Sequence, residues 1–332
     1  MKHFLTTSDF TQSDLSLILE KATAFKKGNI ADKPLQGKSI ALVFFNPSLR
    51  TRVSMQVAIY ELGGNAITLE PGGNSWTLEH REGVVMDTDR TEHLKEFVRV
   101  LSRYVSAIGV RTFAKLQIWD EERQDPILRS FAKYSSVPVI NLESAMFHPC
   151  QAMADMLTIN ENYNRQPQKI LLTWAWHPKA LPMAVPNSFL LAGAAFGHDI
   201  RVAFPNGYEL DENILETAEK LAAESGGRVE FTSDNISCYE GVNVVYAKSW
   251  GSKNFYGNLD AEAEYRKNLR DQWRVDSAKM AITNNAIFMH CLPVRRNVVV
   301  TDEVLDSPRS VIIDEAENRL HVQKAILSEV CG

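Results

Sequence analysis

The chain has 332 residues, 45% hydrophobic and 23% charged, which is ordinary globular composition and long enough for two cores. A net charge of −5 and a pI near 6.0, with no Lys/Arg block, argue against a nucleic-acid binder. No stretch approaches the ~18 uninterrupted apolar residues of a membrane span, and the first residues lack the apolar core of a signal peptide, so a cytoplasmic protein is expected.

Taken in chain order, Ser39-Ile40-Ala41-Leu42-Val43-Phe44 reads as a buried parallel strand and 51–62 as a helix. Between them, Phe45-Asn46-Pro47-Ser48-Leu49-Arg50-Thr51-Arg52 brings hydroxyls and two guanidinium groups to a helix start. Unpaired N–H groups and the positive dipole end gather there, which suits an anion, and the arginine forks favour phosphate. Strands follow near 65–69, 105–110 and 137–142, with helices over 92–103 and 126–134. A second polar tip, His148-Pro149-Cys150-Gln151, opens a helix after an apolar run. Beyond it, strands are expected near 169–174, 199–204, 228–232, 242–247, 286–291 and 310–314, with helices over 183–196, 210–224 and 315–330. A third tip, His290-Cys291-Leu292-Pro293-Val294-Arg295-Arg296-Asn297, follows Ala286-Ile287-Phe288-Met289.

This alternation predicts an α/β protein of two doubly wound parallel-sheet domains, 1–147 and 148–332, with the last helix, about 315–330, packing back on the first. Polar tips at strand ends build one site in such folds. With a phosphate on Ser48, Leu49, Arg50 and Thr51, a carbonyl attached to it falls near Arg111 and His148, donors for a developing oxyanion. Gln151, one turn beyond His148, can hold an amide nitrogen. Taken singly, His148 also reads as a packed helix-start histidine and Arg111 as a surface salt bridge; their joint occurrence points to a site. GxSxG, Walker and GxGxxG motifs are absent, which removes the main warrant for nucleophile-elbow hydrolases, NTPases and dinucleotide dehydrogenases. Four cysteines without CxxC or metal spacing suggest neither a disulfide framework nor a zinc site, and neither metal nor cofactor is expected.

Ser48-Leu49-Arg50-Thr51-Arg52 and His148-Pro149-Cys150-Gln151 resemble the S-x-R-T-R and H-P-x-Q motifs of the aspartate/ornithine carbamoyltransferases, and His290-Cys291-Leu292-Pro293 resembles their ornithine-side loop. The Ser-Met-Gly loop that grips a free α-amino group in ornithine enzymes is missing. Tyr246-Ala247-Lys248-Ser249-Trp250-Gly251 stands in its place, which is similar to the N-acylornithine transcarbamylases, as are Asn74-Ser75-Trp76 and Thr173-Trp174-Ala175-Trp176-His177-Pro178. The resemblance implies carbamoyl-phosphate binding by Ser48, Leu49, Arg50, Thr51, Arg111, His148, Pro149, Cys150, Gln151, Cys291, Leu292 and Arg319. Trp76 would reach in from a neighbouring subunit of a homotrimer. Catalysis falls to Arg50, Thr51, Arg111 and His148, and the acylornithine to Glu143, His177, Lys248, Arg295 and Leu292. The structural alternative for Trp76 and Trp176 is core packing.

Within this family the acetylornithine enzymes carry Glu directly before the Glu-His pair that stands here as Glu92-His93, succinylornithine enzymes carry Pro, and this chain has Thr91; the spacing from Glu143 to His148 and the run from Leu181 to Phe189 also resemble the succinyl enzymes. A carboxylate in place of Thr91 would repel a succinyl group, so Thr91 favours N-succinyl-L-ornithine. Val299 also replaces a modified lysine of the acetyl enzymes. Lys2-His3-Phe4-Leu5 and Phe131-Ala132-Lys133-Tyr134-Ser135 are closer to the acetyl enzymes, which keeps N-acetyl-L-ornithine as the alternative. A non-catalytic subunit that binds carbamoyl phosphate or an acylornithine is the rival of another class.

Overall fold

The computed structural model describes residues 3–29 and 33–331; Met1, Lys2 and Gly332, which the expected segments include, lie outside them. Among the described residues eleven strands run in chain order: β1 (Ser39–Phe44), β2 (Asn65–Leu69), β3 (Leu78–Glu79), β4 (Glu92–His93), β5 (Ala107–Arg111), β6 (Val139–Glu143), β7 (Lys169–Trp174), β8 (Asp199–Ala203), β9 (Arg228–Thr232), β10 (Val244–Lys248) and β11 (Ile287–Met289). One four-stranded sheet has the order β2-β1-β5-β6 and a five-stranded sheet the order β11-β10-β7-β8-β9, with every pairing parallel. Central strands such as Ile40 to Phe44 are buried throughout, as strands covered on both faces must be. In β5, Gly109 leaves room for its neighbours, since a Cβ there would come within 2.9 Å of Leu142.

The strand orders position the site. In the first sheet the chain reverses direction between β1 and β5, and in the second between β7 and β10. Crevices open at such switch points beyond the C-terminal strand ends. At those ends stand Arg111 and Lys248, the last residues of β5 and β10, and just past them Asn46 to Arg52 and His177.

The helix Ile312–Cys331 packs on three others, Gln12–Lys26, Arg50–Glu61 and Pro149–Tyr163, and so ties the end of the chain to its beginning. Leu15, Ile18, Leu19 and Ala22 supply the buried face of Gln12–Lys26, each large side chain contributing about 1.5–3 kcal/mol by burial. A second core lies between Ala41, Val43, Ile108 and Val110 of the first sheet and the helices Leu94–Leu101 and Pro126–Tyr134.

The expected strand near 310–314 does not form. Ser310 makes a single bridge to Phe288, and the Val311 carbonyl already accepts Glu315 N–H at 2.9 Å, so the apolar run is the entry of the last helix. Helix Gln12–Lys26 escaped the sequence reading although Thr11 and Asp14 form a reciprocal capping box at its start.

Candidate active site

A cavity of about 960 Å³ lies between the two sheets and gathers all three polar tips. Ser48, Leu49, Arg50, Thr51, Arg111, Glu143, His148, Gln151, His177, Lys248, Cys291, Leu292 and Arg319 all line it.

The first tip is built by the turn from β1 into the helix Arg50–Glu61. Ser48 Oγ accepts the Thr51 N–H at 3.2 Å, while Leu49 at the cap position makes no side-chain capping bond. Leu49 to Arg52 line the cavity, which places the N-terminal end of this helix, with its positive dipole, at the site. The β5 tip is tied to it: Asn46 Oδ1 accepts the Phe113 N–H at 2.7 Å, and Arg111 lies over the Phe113 ring at 4.3 Å. Arg111 Nη1 and Arg319 Nη2 both donate to Thr51 Oγ1, at 3.4 and 2.6 Å. With both lone pairs taken, the Thr51 hydroxyl proton is available to a ligand.

Arg111 also pairs with Glu143 Oε2 at 2.6 Å, and His148 Nε2 lies 3.4 Å from the same oxygen. In this geometry Glu143 orients Arg111, with His148 beside the pair. Burial pushes the His148 pKa far down, helped by the charges of Arg319, Arg111, Lys248 and Arg50, so the imidazole is neutral. Its Nδ1 has no partner among the described residues.

Gln151 is held by two acids. Its Nε2 donates to Asp155 Oδ1 at 2.8 Å and Glu315 Oε1 at 3.2 Å, while its Oε1 has no partner among the described residues. The amide is thus locked with its oxygen toward any N–H donor in the cavity. Burial raises the pKa of both Asp155 and Glu315, and their proximity adds to the rise in Glu315. Glu315 Oε2 also accepts the His290 N–H at 2.9 Å, and His290 Nδ1 accepts Leu292 N–H at 2.9 Å. Leu292 adopts φ 54°, an unfavourable region for a bulky side chain and one found at functional sites.

On the second-domain side, Lys248 ends β10 and His177 follows β7. His177 Nε2 accepts Arg295 Nε–H at 3.0 Å, and its Nδ1 lies against the Lys179 backbone, 2.9 Å from the carbonyl oxygen and 3.1 Å from the N–H. Burial lowers its pKa to about 4. Arg295 is exposed and reaches the cavity only through His177.

Pro149 and Cys150, named with the phosphate residues from their motif, face the core instead. Cys150 is fully buried with Sγ 3.5 Å from the Asn141 carbonyl, and burial pushes its thiol to about 12. Helical spacing explains this, since His148 and Gln151 share one face and the residues between them cannot. Trp76 and Thr91 do not line the cavity within the chain. Trp76 is 64% exposed, and Thr91 is exposed on the segment closed by β3 and β4. That segment is clamped by the buried Glu79 carboxylate, which accepts bonds from Arg81 and Arg90 at 2.9 and 2.8 Å.

Sequence reasoning missed Asp155 and Glu315. The spacing of Gln151 and Asp155, one helical turn apart, was the available signal.

Residues 2–161 match the family model of the aspartate/ornithine carbamoyltransferase carbamoyl-P binding domain, and residues 172–330 that of the Asp/Orn binding domain. The chain is 48% identical to the N-acetylornithine carbamoyltransferase of Xanthomonas campestris pv. campestris, covering 100% of this chain and 98% of that protein. It is 40% identical to the N-succinylornithine carbamoyltransferase of Bacteroides thetaiotaomicron, covering 96% and 95%. Among solved structures it superposes, with a TM-score of 0.96 and 48% identity over 99% of this chain and 100% of the other, on an N-acetyl-L-ornithine transcarbamylase. In that structure a glutamate is replaced by proline, and carbamyl phosphate and N-succinyl-L-norvaline are bound. With two domain models covering nearly its whole length and relatives aligned end to end, the chain belongs to the aspartate/ornithine carbamoyltransferase family and is a carbamoyltransferase.

Proposed function

We propose that the protein transfers the carbamoyl group of carbamoyl phosphate to the side-chain amine of an N-acylornithine, giving N-acylcitrulline and phosphate in arginine biosynthesis. The preferred substrate is N-succinyl-L-ornithine. The observation that carries this reading is the charge inventory of the cavity. Its carboxylates, Glu70 and Glu143, are paired with Arg52 and Arg111, whereas Arg50, Lys248 and Arg319 have no acidic partner among the described residues. Such a site suits two anionic substrates and offers no free carboxylate to an α-ammonium group, as an acylated ornithine requires.

In this reading residues 1–147 hold carbamoyl phosphate, and 148–332 hold the acylornithine. The phosphate lies on Ser48, the Leu49 N–H, Arg50, Thr51 and Arg319. Arg111 and neutral His148 donate to the carbonyl oxygen, and Gln151 Oε1 accepts from the carbamoyl NH₂. Lys248, His177 and Arg295 take the carboxylate side of the acylornithine. The Cys291 and Leu292 carbonyls orient its amine, which must be neutral to attack although a free alkylamine has a pKa near ~10.4. The amine nitrogen bonds to the carbonyl carbon, the C–O bond to phosphate breaks, and the departing phosphate takes the proton. Rate comes from positioning and from preorganised donors in a dry cleft. The enzyme acts in the cytoplasm as a homotrimer, in which exposed Trp76 and Thr91 reach a neighbour's cavity.

Thr91 supports the succinyl preference. The relative that binds N-succinyl-L-norvaline does so as a variant lacking a glutamate, in keeping with a carboxylate being what bars the longer acyl group. The higher identity to the acetyl enzyme, 48% against 40%, favours N-acetyl-L-ornithine as the second reading. Thr91→Glu separates them. Two like charges ~5 Å apart at an effective dielectric near 20 repel by about 3 kcal/mol, so succinylornithine kcat/KM should fall by up to ~10²-fold relative to acetylornithine. A wild type that already prefers acetylornithine, or a ratio unmoved by the substitution, rejects the succinyl preference.

A further inference from the structure

Arg266 ends the helix Leu259–Arg266 with no exposed surface, and it does not line the cavity. A buried guanidinium is costly unless its donors are used and its charge is matched. Both conditions are met: Glu262 lies 3.3 Å away, and the guanidinium lies 5.4 Å from the Trp174 ring centroid and 5.5 Å from that of Tyr208. Its donors go to particular places. Nη1 donates to the His177 carbonyl at 3.1 Å and Nη2 to the Trp250 carbonyl at 3.0 Å. The Arg266 carbonyl in turn accepts from Trp176 Nε1 at 2.6 Å.

Those carbonyls belong to the two segments that leave β7 and β10, on either side of the switch point in the second sheet. The first segment carries His177 into the cavity, and the second follows directly on Lys248. Backbone bonds also join the segments, Ala175 N to the Lys248 carbonyl at 3.0 Å and Gly251 N to the Leu181 carbonyl at 2.8 Å. Neither of these holds the His177 peptide; Arg266 does.

We propose that Arg266 is a positioning residue for the acylornithine half of the site, one planar fork that sets His177 against Lys248 by gripping the backbone beside each. The proposal rests on the reading that His177 and Lys248 hold the acylornithine. It has a selective consequence: loss of the fork loosens the amine substrate and leaves the phosphate side, built on the turn from Ser48 to Thr51 and on Arg319, untouched.

The test measures KM for both substrates, and calorimetric binding of carbamoyl phosphate alone, in wild type, Arg266→Lys and Trp176→Phe. Lysine keeps a charge opposite Glu262 but cannot span two carbonyls. Arg266→Lys should raise the N-acylornithine KM about tenfold or more, because small misplacements at a site are costly, with carbamoyl-phosphate affinity within about twofold of wild type. Trp176→Phe, which frees only the Arg266 carbonyl, should act in the same direction by about threefold. A folded Arg266→Lys enzyme with an unchanged acylornithine KM, or one that loses both substrates equally, overturns the proposal. If that variant does not fold, an unchanged KM in Trp176→Phe does so. His177→Ala and Lys248→Ala are the controls. If they leave the acylornithine KM unchanged, the substrate assignment falls and this inference with it; if they raise it and the Arg266 and Trp176 variants do not, the positioning role alone falls.

Discussion

Among the described residues Arg50, Arg319 and Lys248 have no carboxylate partner, and they surround a neutral His148, so the cavity holds fixed positive charge before any substrate arrives. Fixed donors act without reorganising at the moment of reaction, and removing one typically costs ~2.7–4 kcal/mol of barrier. Arg50→Ala and His148→Ala should therefore each lower kcat by about 10²-fold with an unchanged circular dichroism spectrum. A variant that keeps more than about a tenth of wild-type kcat refutes the role of that residue. At this scale the motifs were legible, because S-x-R-T-R and H-P-x-Q put chemistry at short spacing. Side-chain direction was less so: Cys150 was grouped with its motif neighbours, yet it turns into the core. Asp155 and Glu315, 160 residues apart in sequence, meet only when the helices Pro149–Tyr163 and Ile312–Cys331 pack.

The elements that hold these residues obey simpler rules, and one of them gives a pH signature. His198, between the helix Ala184–Ala195 and β8, is 2% exposed and accepts the Gln168 N–H at Nδ1, 3.0 Å away. Burial lowers its pKa from 6.5 to about 4. Between those values the unfolded chain binds a proton that the folded chain refuses, so stability rises with pH across the window and is lost as pH falls. Wild type should lose about 2 kcal/mol more than His198→Asn between pH 7 and pH 5 in urea unfolding; equal losses would show that His198 is protonated without cost. Strands such as Lys169–Trp174 and Arg228–Thr232 were readable from continuous or alternating apolar runs with turn residues at their ends. The run at 310–314 was misread because five residues cannot distinguish a strand from the first turn of a helix. Helix Gln12–Lys26 was missed because its polar face interrupts the apolar pattern, although its capping box marked the start.

At the scale of the whole molecule, two parallel sheets turn their switch points toward one cavity, and the last helix binds the halves together. Alternating strands and helices made that architecture legible. What a single chain's sequence could not give is geometry between chains: Trp76 lies exposed just before β3 and Thr91 on the segment clamped by Glu79, and their proposed roles need a second subunit. Carbamoyl transfer to an acylated ornithine is decided by kcat/KM for N-succinyl-, N-acetyl- and unmodified ornithine with saturating carbamoyl phosphate. The acylornithines should turn over, N-succinylornithine fastest, with unmodified ornithine lower by at least about 10²-fold, since its α-ammonium would face Lys248 without a carboxylate to meet it. Unmodified ornithine used as well as either acylornithine would contradict the acylornithine assignment.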